Sequence, residues 1–297
     1  MCVVGGMRRS IARVGGAGRG TVGPVTRPEI EAYFGRIGYD GPRAPTLEAL
    51  RGIVARHVAT IPFENLDVLL GRPIVLEAPA LLGKLVEARR GGYCFENNGL
   101  LLHVLAALGF AVEPLSARVR LQRPREFTPP RTHLFARVTI DGVPWLADVG
   151  VGGLSPTAPL RLDTEAEQAT PHEPRRVIGE DGRWFHQVLL RGEDGAGWHD
   201  ICEFTGEAMP PIDREVANWF TSTHPRSHFR DRLLVARAGE DGARLTILND
   251  VFTLRRRDGA AERRTIAGPE ELLQILDAVF GLRFPAETRF ACAGLPW

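Results

Sequence analysis

Asp141-Gly142 lies between two runs of alternating apolar residues, and this feature limits the fold more sharply than any other. An Asp-Gly pair flanked in this way favours a two-residue hairpin turn. Pairing Ile140 with Val143 makes facing positions sum to 283, which sets the register of the whole hairpin. Leu134, Ala136, Val138, Ile140, Val143, Trp145, Ala147 and Val149 then share one apolar face, and His133, Phe135, Leu146 and Asp148 share the other. His133 and Asp148 become diagonal neighbours, with backbones roughly 7–8 Å apart and side chains within reach of an imidazole–carboxylate hydrogen bond.

The hairpin sits inside a wider change of pattern. From Pro28 to Phe110 the periodicity is helical. Thr46 is a candidate cap for a helix carrying Leu47, Leu50, Ile53, Val54 and Val58. A second helix is expected over 78–89, with Leu81, Leu82, Leu85 and Val86 on one side, Arg89 and Arg90 at its end and Gly91 as its stop. A third is expected over 94–108, ended by Gly109. From Ala111 the pattern turns to strands, over 114–121, 132–140, 143–149, 175–178, 184–190 and 198–204, with 150–159 as a loop and Asp181-Gly182 and 192–197 as turns. Asp213 is the expected cap of a helix through Val216, Ala217, Trp219 and Phe220. Strands near 233–236, 245–248 and 252–255 follow, then a helix opened by Pro269. Helices, then strands, then a mixture argue an α+β chain in three parts, divided at about 110 and 212. Residues 1–27, rich in Gly, Arg and Val, read as a flexible arm or as a start placed too early. Their Arg8-Arg9 pair is followed by no apolar run, which argues against an export signal.

Charge and cysteine usage exclude several functions. The net charge of +1, with acids and bases interspersed, gives no electrostatic case for nucleic acid or a membrane surface. Cys2, Cys94, Cys202 and Cys292 lie far apart with no C-x-x-C, so neither a metal knuckle nor a disulfide scaffold is expected, and a reducing cytoplasmic setting fits.

Cys94 stands out among the four. It follows Gly91-Gly92-Tyr93 and opens an apolar helical pattern. A thiol at a helix start meets the positive end of the dipole and free N–H groups, both of which favour thiolate, the nucleophilic form. Such a residue needs a base. His57 lies on a helix face, His103 mid-helix, and His172, His186 and His199 in or beside polar turns. His224 and His228 lack an acid partner. His133 has one in Asp148, placed to fix the tautomer and stabilise the imidazolium. Spacing alone does not dock the hairpin against the Cys94 helix.

At these residues the chain resembles the arylamine N-acetyltransferases. Arg90-Gly91-Gly92-Tyr93-Cys94-Phe95-Glu96-Asn97-Asn98 is similar to the family's active-site motif, and Ile61-Pro62-Phe63-Glu64-Asn65-Leu66 to its preceding helix-loop motif. Thr132-His133-Leu134 and Asp148-Val149-Gly150 resemble the segments carrying its histidine and aspartate. Residues 217–225 resemble the stretch leading into its third domain. Two positions depart from the pattern: Val151 stands where the family often has Phe, and Asn97 where Gln or His is common.

The resemblance implies a Cys94–His133–Asp148 triad. It also implies a helical bundle over 28–110 carrying the nucleophile, a β-barrel over 111–212 carrying His and Asp, and an interdomain helix and α/β lid over 213–297. The implied activity moves acetyl from acetyl-CoA, a co-substrate rather than a resident cofactor, through a cysteine thioester to an arylamine, arylhydrazine or N-hydroxyarylamine. Ping-pong kinetics are expected. Glu64 and Arg90 are either a strut for the Cys94 loop or a surface ion pair worth about 0–1 kcal/mol. Phe63, Val151 and Phe229 are either an apolar slot for an aryl ring or plain core. Gly150, Gly152 and Gly153 leave room for the pantetheine arm. Two other readings share the chemistry: an amide synthase joining a polyketide thioester to an aromatic amine, and a thiol hydrolase.

Overall fold

The computed structural model describes residues 25–121, 123–192 and 195–297. Most of the expected arm lies outside them, but Val25 is already part of the core and helix α1, Arg27–Ile37, begins before the arm was expected to end. Helix α2, Leu47–Thr60, is capped as expected, with Thr46 Oγ1 accepting from the Ala49 N–H. The strand β1, Phe63–Glu64, and the short helix α3, Leu66–Leu69, follow.

The helix expected over 78–89 differs from the expectation. It starts as α4, Ala78–Leu81, then widens into a π-turn, Leu82–Glu87. The expected apolar side is buried, but the chain leaves the helix through Arg89, which adopts a left-handed φ of 52°. Gly91 is therefore not the stop. Its use is close approach: a Cβ there would lie 2.3 Å from the Pro62 carbonyl oxygen. Helix α5, Cys94–Ala107, completes the helical layer.

Seven strands form one strongly curved antiparallel sheet, in the order β5-β4-β3-β2-β8-β7-β6. They are β2 (Ala111–Val119), β3 (His133–Ile140), β4 (Val143–Ala147), β5 (Leu160–Arg161), β6 (Arg175–Glu180), β7 (Arg183–Gly192) and β8 (Gly195–Phe204). The β3–β4 register is the expected one, from Ile140↔Val143 to Ala136↔Ala147. Asp141 and Gly142 both have positive φ, 50° and 78°, as a tight hairpin of this hand requires. Gln168 nearly closes the sheet into a barrel. Its side chain bonds the backbone of Arg161 at one edge, and its backbone bridges Arg175 at the other.

The two hairpin faces serve two cores. Leu134, Ala136, Val138, Trp145, Ala147 and Val149 pack with α1, α2 and α5. Phe135 and Leu146 face the barrel interior with Leu115, Ile201 and Phe204.

Helix α6, Pro211–Thr223, starts two residues before Asp213, which therefore lies in the first turn and is not the cap. After α7 (His228–Asp231) come β9 (Leu234–Ala238), β10 (Arg244–Leu248), β11 (Val251–Arg255), β12 (Ala261–Thr265) and α8 (Pro269–Phe280). These strands form a second sheet, to which β1 adds itself as an edge beside β9. Among the described residues, no helix is long and apolar enough to cross a membrane.

Candidate active site

The loop before α5 is held from several sides. The Glu64 N–H donates to the Gly92 carbonyl at 2.9 Å, and the Gly92 N–H to the Pro62 carbonyl at 3.2 Å, so the loop is tied to β1 by a parallel bridge at Phe63 and Gly92. Glu96 Oε2 accepts from the Tyr93 N–H at 3.0 Å, closing a capping bond just before Cys94. Asn97 Nδ2 donates to the Gly92 carbonyl. His57 Nε2 lies 3.0 Å from Asn97 Oδ1, and the Tyr33 hydroxyl 2.9 Å from His57 Nδ1. Burial pulls His57 down to about 4, against a partial rise from the Asn97 bond, so a neutral ring serves as the link. His57 lies on a helix face as expected, but that face of α2 is buried and the ring is a structural link.

Glu64 and Arg90 are not a surface pair. Arg90 Nη2 donates to Glu64 Oε1 at 2.7 Å and reaches Asp67 Oδ1 at 3.2 Å, with Glu64 fully enclosed. Lys84, delivered by the π-turn, bonds Asp67 at 2.7 Å and Glu96 at 2.6 Å.

Cys94, 4 % exposed, begins α5, and its Sγ lies 3.5 Å from the Thr132 carbonyl oxygen. His133 opens β3 and Asp148 directly follows β4; His133 Nε2 and Asp148 Oδ2 are 2.6 Å apart and both are buried. Cys94 adjoins the imidazole closely enough to favour its protonated form. Burial pulls His133 down, but the charge and hydrogen bond of Asp148, with Cys94 adding, outweigh it and raise the ring to about 10. Burial pushes Asp148 up, yet His133, Asn98 and the Gly150 N–H leave it below the usual carboxylate range.

Two residues dock α5 on the hairpin. Asn98 Nδ2 donates to the Leu134 carbonyl at 2.6 Å and to Asp148 Oδ1 at 2.9 Å, while its Oδ1 accepts from the Val149 N–H at 2.9 Å. Gly150 lies so close that a Cβ would sit 2.8 Å from both Cys94 Cα and Asn98 Nδ2.

Of the expected aryl-slot residues, Phe63 and Phe229 come together, with ring centroids 6.1 Å apart, and Tyr93 meets Phe229 edge-on at 5.5 Å. Val151 belongs to the barrel core instead. A Cβ on Gly152, at φ 88°, would lie 3.7 Å from the Phe63 ring, and one on Gly153 would meet Thr246 Cγ2 of β10 at 2.9 Å. The 150–153 segment therefore runs from the nucleophile to the second sheet.

Sequence reasoning missed several groups around this site. Asn98, Lys84 and Asp67 bear on it directly, and only Asn98's place in the motif hinted at a role. His186 is buried on β7 beside Arg175, at 3.0 Å, and is not in a polar turn; burial and that guanidinium pull it to about 3. His199 lies on the exposed side of β8. One ligand atom each of His133, Asp148 and Cys202 lies within 4.8 Å of the others, the one metal-compatible group among the described residues. Its chemistry argues against a resident cation. Two members already bond each other at 2.6 Å, and burial pushes the Cys202 thiol well up, away from the thiolate a metal needs.

A thiol at a helix start, an imidazole against it and a buried carboxylate behind the imidazole form a constellation suited to acyl transfer. A family model described as N-acetyltransferase matches residues 46–289. The arylamine N-acetyltransferase of Mycobacterium tuberculosis H37Rv is 43 % identical over 254 residues, 84 % of each chain. The arylamine N-acetyltransferase / N-hydroxyarylamine O-acetyltransferase of Salmonella typhimurium is 41 % identical over 253 residues, 85 % of this chain and 88 % of its own. The solved Mycobacterium marinum arylamine N-acetyltransferase superposes with a TM-score of 0.81 at 41 % identity, covering 85 % of this chain and 92 % of its own. The same enzyme in complex with CoA gives 0.80. The chain belongs to the arylamine N-acetyltransferase family and is an acyltransferase.

Proposed function

We propose that this chain carries acetyl from acetyl-CoA to arylamines, arylhydrazines or N-hydroxyarylamines through a thioester on Cys94. The observation that carries the reading is the convergence of Cys94, His133 and Asp148 at one helix start, with the imidazole bonded at 2.6 Å to the carboxylate. With its ring raised to about 10, His133 already holds the thiol proton when Cys94 Sγ, as thiolate, attacks the acetyl carbonyl. The Cys94 N–H, which has no intrahelical partner at its position, and one neighbouring N–H stabilise the oxyanion. The C–S bond to CoA breaks, and its sulfur leaves with the proton from His133. The amine nitrogen then attacks the thioester, His133 accepts its proton, and Cys94 leaves. One site used twice implies ping-pong kinetics.

Phe63 and Phe229 are assigned to the acceptor ring, and Gly150, Gly152 and Gly153 to the pantetheine arm. Glu64 and Arg90 act as the strut of the loop. The partition at 110 and 212, the second sheet as a lid, and a cytoplasmic location belong to the same reading. Free arylamines stay largely unprotonated at neutral pH, which favours them over alkylamines as acceptors.

The test is intact mass after incubation with acetyl-CoA alone. One acetyl should appear, located on Cys94, and none on Cys94→Ala. Acetylation of the alanine variant at an equal rate would end the covalent reading.

A further inference from the structure

We propose that Glu96, gripped by Lys84, is a positioning residue whose protonation state sets the nucleophile loop, giving Cys94 a pH dependence separate from that of His133. The inference rests on Cys94 being the nucleophile, the reading given above.

The two carboxylate oxygens of Glu96 have different tasks. Oε1 accepts from Lys84 Nζ at 2.6 Å, and Oε2 accepts from the Tyr93 N–H at 3.0 Å. Tyr93 is the residue immediately before Cys94. Only the ionised form can accept at both oxygens without conflict. A proton on Oε2 turns an acceptor toward a donor and releases the Tyr93 N–H; a proton on Oε1 meets the ammonium. Either way one of the two bonds is lost, two residues from the sulfur.

The charge count makes this proton available. Facing one another beneath the loop are Glu64 from β1, Asp67 from α3, Lys84 from the π-turn, Arg90 from the loop and Glu96 from α5. Three carboxylates oppose two cations, so the fully ionised cluster holds one surplus negative charge. Asp67 is held down by Lys84 and Arg90 against its own burial. Glu96 is the member left to take the proton. Burial pushes it up, and Glu64 adds to that. Lys84 and the Tyr93 N–H pull back, leaving it at about 7. A π-turn is an uncommon device often found at functional sites, and here it places Lys84.

The experiment measures the rate of Cys94 alkylation by iodoacetamide from pH 5.5 to 9, read by peptide mass, with melting temperatures in parallel. The expected wild-type profile has an inflection near neutrality. Glu96→Gln cannot accept at both positions, so it should lose that inflection and react about tenfold more slowly at pH 8 while matching wild type at pH 5.5. Lys84→Met should move the inflection to higher pH, and Lys84→Arg should keep it. Because a buried carboxyl raised above its unfolded value weakens the fold as pH climbs, the melting temperature of Glu96→Gln relative to wild type should rise from pH 5.5 to 8. A Glu96→Gln profile parallel to wild type at every pH, or a Lys84→Met inflection that stays in place, would overturn the proposal. Failure of acetyl transfer with the inflection present would instead count against the acetyl-CoA reading alone.

Discussion

Replacing Asp148 by Asn tests the imidazole–carboxylate arrangement with little change of shape. Asp148 Oδ1 receives two donors, Asn98 Nδ2 and the Gly150 N–H, each at 2.9 Å. Only the amide oxygen can sit there. The amide NH2 is then forced to the Oδ2 position, facing His133 Nε2. That nitrogen must become an acceptor, so the ring proton moves to the nitrogen facing Cys94, and the ring can no longer take the thiol proton. The expected loss in turnover is about 10⁴-fold, the scale of a wrong-tautomer defect. Stability should fall as well. The rise of His133 from 6.5 to about 10 is worth about 4 kcal/mol at pH 7. A raised imidazole contributes fully below 6.5 and loses its contribution as pH passes about 10. The lowered Asp148 contributes above 3.8 and loses its part as pH falls through its folded value. Urea unfolding of Asp148→Asn at pH 7 and at pH 10.5 should therefore differ from wild type by several kcal/mol at the first and much less at the second. Turnover within tenfold of wild type, or an equal stability loss at both pH values, would refute the reasoning.

Two further substitutions probe the seam between α5 and the hairpin. Gly150→Ala places a Cβ 2.8 Å from Cys94 Cα, a backbone atom that cannot step aside, so thermal unfolding should report a loss of about 1–3 kcal/mol together with slower alkylation of Cys94. Asn98→Ala removes three buried hydrogen bonds and strands the Val149 N–H and Leu134 carbonyl; urea unfolding should show about 3 kcal/mol of destabilisation, and a loss under 1 kcal/mol would contradict the seam's role.

What the sequence made legible follows from range. The β3–β4 register was readable because Asp141-Gly142 fixes a two-residue turn and a period of two carries it outward. His133 and Asp148 fell together for the same local reason. The helix over 78–89 was readable as a helix but not as a π-turn, since one extra residue per turn leaves the apolar spacing intact over so short a span. Its end was misplaced because Gly91 answers to Pro62, far from the helix, and Arg89 takes the left-handed turn. β1 is two residues long and pairs Phe63 with Ala236 and Glu64 with Val235 of β9, far along the chain, while β12 is wholly exposed and carries no apolar alternation. Neither has a local signal. The burial of His57, His186 and the Glu64–Arg90 pair depends on partners distant in sequence, so residue type alone placed His57 on a helix face and His186 in or beside a turn, and left the pair open between a strut and a surface pair.

The catalytic pair and the nucleophile thus differ in how the chain specifies them. His133 and Asp148 are joined by a hairpin that local rules nearly determine. Cys94 reaches them only because a separate helix docks on the apolar side of that hairpin, and Asn98 spans the joint by touching Leu134, Asp148 and Val149 at once. A residue that both docks the helix and holds the carboxylate cannot contribute independently of either. The effects of Asn98→Ala and Asp148→Asn should therefore fall short of additivity, because Asn98→Ala removes the Asn98 Nδ2–Asp148 Oδ1 bond and Asp148→Asn already strips that bond of its charge. A double variant whose stability loss equals the sum of the two single losses would mean that the seam and the triad are separate devices that merely adjoin.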